Sequence, residues 1–188
     1  MEPFLRDLDS IHHGSEIARK YGLNQKTVAN VLNGLEEEGF LKSKTVGKNK
    51  EFRVSFDDPE KASRFLLSLE NARALKFLDA NPKVKEILSK TKPYFTGIVV
   101  VFGSYAKGTQ KKDSDLDILS VGDCDAKKVK EASDMYGVEL SVKNMDLAGF
   151  RQSLKERDIL IKEVVSDHIT IYGIEDFLKN VLREYHGR

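Results

Sequence analysis

Two short segments carry residues whose types and spacing suit phosphate chemistry. Gly103-Ser104 directly follows the apolar run 97–102 (GIVVVF), which reads as a buried strand ending in a turn and a short helix. A glycine and a serine at such a turn let backbone N–H groups and a hydroxyl come close to a phosphate. The start of the helix adds positive potential. Alone, that pair is a weak signal. Asp115 and Asp117 strengthen it. They lie in SDLDILSV, where alternation along a strand puts both carboxylates on one face and turns Leu116 and Ile118 to the packed face. Two like charges held that close are costly unless a cation lies between them. Hard carboxylates with open positions suit magnesium, which keeps waters and takes up substrate phosphates. The plain alternative, an acidic strand entry at the surface, leaves the preceding Gly-Ser turn unexplained.

These residues need elements to position them. Residues 94–188 alternate apolar strands with helices, which gives a domain with its own core. Before it, Pro59 behind Asp57 and Asp58 is a good helix start. Ala62, Phe65, Leu66 and Leu69, then Ala72, Leu75 and Leu78, recur at helical spacing. Asn81-Pro82 breaks that helix, and Val84, Ile87 and Leu88 predict a second one ending near Lys92-Pro93. Residues 58–93 are therefore expected to be a helical connector. It either pairs with a second copy, giving a homodimer, or packs on its own domains.

Gly103-Ser104, ten intervening residues and Asp115-Leu116-Asp117 resemble the signature of the DNA polymerase beta-like nucleotidyltransferase superfamily. The longer string GSYAKGTQKKDSDLDILSV resembles its minimal nucleotidyltransferase branch, which includes the antitoxins of HEPN–MNT pairs. The resemblance covers roughly residues 94–173. It implies a small mixed sheet flanked by helices, an NTP substrate with ATP expected, and two magnesium ions. It also implies a third carboxylate on a later strand. Glu139 in YGVELSV fits, because Val138, Leu140 and Val142 would then face the core; Asp146, just past the strand, is the alternative. In this reading Gly103, Ser104 and Lys107 bind the nucleotide, while Asp115, Asp117 and Glu139 are catalytic and hold the metal. Lys111 and Lys112 read as solvated, and Asp113, Asp123 and Asp125 as loop charges. His168 and Tyr172 read as packing or surface residues.

In residues 1–57, Ser15 is placed to cap a short helix that turns Ile17 and Ala18 inward. Gly22 makes a tight turn. Asn24 caps the next helix, on which Val28, Val31, Leu32 and Leu35 share a face. Two strand-like runs, 41–46 and 51–56, then flank the basic turn Gly47-Lys48-Asn49-Lys50. Residues 15–56 resemble the winged helix-turn-helix domains of prokaryotic transcription regulators. That resemblance implies duplex DNA as partner. Asn24, Gln25, Lys26 and Asn30 would face base edges, and Lys48 and Lys50 would face phosphates on a wing that also carries Lys42, Lys44 and Arg53. Glu36, Glu37 and Glu38 are expected at the far end of the helix, away from the DNA. A protein-interaction module is the alternative.

The fold class expected is α+β: a winged helix-turn-helix (1–57), a connector (58–93) and a nucleotidyltransferase domain (94–188). With 31 basic and 30 acidic residues in 188, net charge +1, the chain is no strongly basic nucleic-acid coat. No apolar run is long enough to span a membrane. The charged N-terminus does not read as a signal peptide. A single cysteine, Cys124, excludes an internal disulfide, and His12 and His13 read as exposed. Together these features predict a cytoplasmic protein. Three functions compete: an active nucleotidyltransferase brought to DNA, a transcription regulator that senses nucleotide, and an antitoxin acting on a partner toxin.

Overall fold

Local capping chemistry sets the first elements. The computed structural model describes residues 3–6, 8 and 10–187. Met1, Glu2, Asp7 and Asp9 of the charged N-terminus, and Arg188 at the end of the expected last domain, lie outside the described residues. The chain divides into two compact units, Met1–Leu69 and Glu70–Arg188.

In the first unit, α1 (Pro3–Arg6) is followed by β1 (His12–His13), α2 (Gly14–Tyr21) and α3 (Gln25–Glu37). Gly22 ends α2 at a φ of 63°, a left-handed conformation that suits glycine. Asn24 caps α3: its Oδ1 accepts from the N–H groups of Lys26 (2.9 Å) and Thr27 (3.2 Å). Ser15 is no cap, because α2 already starts at Gly14 behind His13. β2 (Leu41–Val46) and β3 (Asn49–Val54) form an antiparallel hairpin, and β1 adds to β3. His12 and His13, expected as exposed residues, are thus strand residues paired with Phe52 and Glu51. Ile17, Ala18, Val28 and Leu32 are buried, whereas Val31 is 51% exposed and leaves the expected face.

α4 (Pro59–Ala80) starts where Asp58 Oδ1 accepts from Lys61 N and runs through the division between the units. Ala62, Phe65 and Leu66 are buried as expected, but beyond them the buried stripe departs from the expected one. Leu66, Ala74 and Phe77 are buried, but Leu75 is 63% exposed. The buried stripe passes through Glu70 and Arg73, one and two turns after Leu66. An apolar count skips these because they are charged.

The second unit continues with α5 (Pro82–Thr91), a 3-10 turn, β4 (Ile98–Val101), α6 (Gly103–Lys107), β5 (Leu116–Val121) and α7 (Ala126–Tyr136). Then come β6 (Leu140–Met145), α8 (Leu147–Glu156), α9 (Ile159–Ser166), β7 (Ile169–Tyr172), α10 (Ile174–Asn180) and a π turn. The sheet order is β6-β5-β4-β7; β5 and β6 are parallel and the other pairs antiparallel. This is the mixed α+β sheet that the sequence led us to expect. Val99, Val101, Leu116, Ile118, Ile169 and Ile171 pack on one face with Phe77, Leu88 and Val129. Ile98, Val100, Leu119 and Val121 pack on the other with Phe150, Ile161, Val164 and Phe177. Among the described residues, no helix is long and apolar enough to cross a membrane.

Candidate active site

The end of β4 and the start of β5 meet at one edge of the sheet. Phe102 N donates to Asp117 O (3.0 Å), which locks the turn after β4 against β5. Gly103 follows at a φ of 67°, and a Cβ there would lie 2.4 Å from Asp117 Oδ2. Glycine is therefore required twice, for its backbone and for the room it leaves the carboxylate. Ser104 opens the exposed side of α6, which ends at Gly108 in a left-handed conformation.

Alternation holds as expected: Leu116 and Ile118 are buried beneath the sheet, Asp117 is half-buried and Asp115 is exposed. The parallel register sets Ser141 of β6 directly beside Asp117. Burial is the largest influence on the Asp117 carboxyl and pushes its pKa up. The Ser141 hydroxyl pulls it down, the Asp115 and Glu163 charges add to the rise, and Lys143 opposes them. The net direction is upward, so the ionised form is held at a cost that a bound cation would relieve. Two carboxylates of this kind, together with a glycine cradle, fit a hard divalent ion.

Glu139 is exposed and lies one residue before β6; its carbonyl accepts from Leu116 N (2.8 Å). The next pair along is Leu116–Leu140, so Glu139 stands across from Asp115 at the same edge. It also rims a groove of about 700 Å³ between α7 and β6, with Val129, Lys130 and Leu140. Among the described residues, no group of three or more histidine, cysteine, aspartate or glutamate side chains is close enough to hold a metal. Asp146 is at the opposite end of β6, where its Oδ1 accepts from Gly149 N (2.7 Å) and caps α8. Asp125 likewise caps α7.

Lys107 is held by Glu163 of α9, Nζ to Oε1 at 2.7 Å. That hydrogen bond is the main cause of a raised Lys107 pKa, to which Asp167 and Asp117 also contribute. Strand alternation places Ser141 on the face of Glu139 but does not connect it with Asp117, and no sequence signal marks Lys143 or Glu163. Ser141 sits two residues from Glu139 in a strand, so the parallel partner of β5 was the missing information. Nothing local in the sequence connects Glu163 with Lys107.

On the first unit, Gln25, Lys26 and Asn30 are exposed on α3, and Lys48 is exposed at the hairpin turn. Asn24 spends its side-chain oxygen on the cap. Lys50 is engaged with Asn33 Oδ1 (2.9 Å) and Glu36 Oε2 (2.5 Å). Its bond is the main reason why the Glu36 carboxyl is held low. Glu36 does lie at the far end of α3, as expected, but there it meets a lysine of the basic hairpin. The hairpin folds against the last turns of α3 and brings the two charges together. Lys44 pairs with Glu51 and Lys42 with Asp57. Burial pushes the partly buried Cys124 thiol up.

The turn after β4 sets Gly103 against Asp117 of β5, with Asp115 just before that strand, an arrangement that suits phosphate chemistry. The nucleotidyltransferase domain family matches residues 82–186, more than half of the chain. The chain belongs to that family and is a nucleotidyltransferase enzyme. No curated protein matches it. Among solved structures, it is similar to a toxin–antitoxin crystallised with AMP-PNP, at 20% identity and a TM-score of 0.37, covering 56% of this chain and 86% of that one. A mutant of the MntA–HpeT toxin–antitoxin is 19% identical with a TM-score of 0.36, over the same shares of the two chains. The archaeal chromatin protein TrmBL2, described as having a novel mode of DNA binding, is 22% identical with a TM-score of 0.25, covering 81% of this chain and 63% of that one.

Proposed function

We propose that this enzyme transfers a nucleoside monophosphate from a nucleoside triphosphate, ATP in the first instance, to a hydroxyl acceptor in a magnesium-dependent reaction. The observation that carries the reading is the apposition of Gly103 and Asp117, so close that a Cβ added at Gly103 would lie 2.4 Å from Asp117 Oδ2. Gly103 and Ser104 bind the terminal phosphates. Asp115 and Asp117 would hold magnesium, with Glu139 at the acceptor side. When bound, the ions supply a lowered pKa for the acceptor hydroxyl and stabilise charge on the α-phosphate and the leaving pyrophosphate. The protein's own contribution is positioning: Gly103 from one side and Ser141 from the other fix the Asp117 carboxylate before substrate arrives. The acceptor in this reading is a hydroxyl of a nucleic-acid end, of a small molecule or of a protein partner such as a toxin.

The first unit is read as a winged helix-turn-helix that binds duplex DNA, within the three-part division 1–57, 58–93 and 94–188. Exposed Gln25, Lys26 and Asn30 near the start of α3 and exposed Lys48 at the hairpin turn support it. Exposed Leu75 on α4 supports pairing of two copies through the connector. A lone free cysteine is ordinary in the cytoplasm, where we place the protein.

The test is incubation of the full chain with each labelled NTP and magnesium, asking where label goes. Asp115→Asn and Asp117→Asn each remove one charged oxygen at nearly constant shape. Both are expected to abolish transfer while the circular dichroism spectrum stays unchanged. Undiminished transfer in either variant overturns the catalytic assignment.

A further inference from the structure

Lys107 is the cation nearest in sequence to the Gly103-Ser104 turn, at the end of the helix that this turn begins. Its ammonium is taken up by Glu163, which reaches across from α9. The pair is open to solvent, at 41% and 40% side-chain exposure, and exposed pairs of this kind are weak. The structural core does not depend on it. The surrounding charge is mostly negative: Asp115, Asp117, Glu163 and Asp167 stand against Lys107 and Lys143. A polyphosphate that enters this field meets carboxylates and finds its closest ammonium already neutralised.

We infer that Glu163 masks Lys107: its carboxylate occupies the place on the ammonium that a phosphate oxygen of the nucleotide takes when it binds. The inference rests on the nucleotide-site reading above. Binding is then an exchange in which Lys107 leaves Glu163 for the polyphosphate. Because the pair is exposed, that exchange costs little. Glu163 acts through Lys107, as a positioning residue. The Glu163 charge also acts on Asp117, in the direction that raises its pKa. In the unliganded enzyme the mask keeps the site net negative. It therefore favours a divalent cation first and a bare polyphosphate last.

The test is calorimetric titration of the full chain with ATP, with and without magnesium, for wild type, Glu163→Gln, Lys107→Ala and the double variant. Glu163→Gln removes the competing charge and keeps the shape. It is expected to tighten ATP binding about three- to tenfold, with the larger gain in the absence of magnesium, where the negative field is least compensated. In the Lys107→Ala background the same substitution is expected to lose most of that gain. A surface pair with a merely structural role would shift neither affinity nor its coupling to Lys107. An unchanged or weaker affinity in Glu163→Gln overturns the mask, as does a gain that persists undiminished without Lys107. If wild type and all variants fail to bind ATP, the nucleotide-site reading itself falls, and the mask with it.

Discussion

Asp117 owes its usefulness to what its neighbours leave out. Gly103 gives it space, and the left-handed φ of 67° makes any other residue strained there even before the clash at 2.4 Å. Gly103→Ala is expected to destabilise the protein by about 1–3 kcal/mol, from the strained backbone and the overpacked carboxylate. It should also weaken magnesium-dependent ATP binding, because relief requires Asp117 to move. Urea unfolding and an ATP titration on the same sample check both halves; a variant as stable as wild type with undisturbed binding refutes the cradle. At this scale much of the site was legible. The Gly-Ser turn and the alternation of Asp115 and Asp117 follow from strand geometry alone. Ser141 and Glu163 were not legible, because both reach Asp117 only through tertiary contacts.

At the scale of elements, the hairpin of β2 and β3 does not present its lysines equally. Lys48 is exposed at the turn, whereas Lys50 is tied to Glu36 and Asn33. If the first unit binds duplex DNA, Lys48→Ala should lower the slope of log affinity against log salt by about one. Lys50→Ala should leave that slope nearly unchanged and show its effect in acid instead. The Glu36 carboxyl is lower in the folded protein than its ordinary value of 4.5. Its contribution is therefore present above about pH 4.5 and lost as the pH falls through the folded value. Lys50→Ala removes the main cause of that depression, so its stability should fall less between pH 6 and pH 4 than that of wild type. Salt-series DNA titrations and urea melts across that range decide it; equal slope losses for the two lysines would restore Lys50 to the DNA face. The hairpin, its basic turn and the Asn24 cap were readable from sequence. That the hairpin would lie against the end of α3 was not, since charge patterns give no account of which face a hairpin turns inward. α4 teaches the same lesson: its buried stripe runs through Glu70 and Arg73, and a search for apolar periodicity steps over both.

For the molecule as a whole, the most consequential polar contact is buried. Glu70 and His168 are 1% and 3% exposed, and Glu70 Oε1 lies 2.8 Å from His168 Nε2. The other ring nitrogen faces Val165 O at 3.2 Å, and the ring packs on Phe177. The contact joins α4 to the start of β7, far apart in sequence but within one compact unit. Removing the ring leaves the buried Glu70 Oε1 without this hydrogen bond and opens a gap beside Phe177. His168→Ala is accordingly expected to cost about 2–4 kcal/mol in urea unfolding. A loss below about 1 kcal/mol would show that water or another group already satisfies Glu70. His168 was readable only as a packing or surface residue, because its partner stands on a helix that sequence pattern had no reason to bring there.

The place of β7 in the sheet also bears on how the chain is made. β4, Ile98–Val101, is an unbroken run of four buried aliphatic residues, and one of its two edges is closed only by β7, Ile169–Tyr172. On a ribosome, the chain must grow by about 70 residues beyond β4 before that edge can be capped. Until then an apolar strand with free N–H and C=O groups stands open to any other strand that passes. A strand buried on both faces is thus also a segment in need of protection while the protein is still being synthesised.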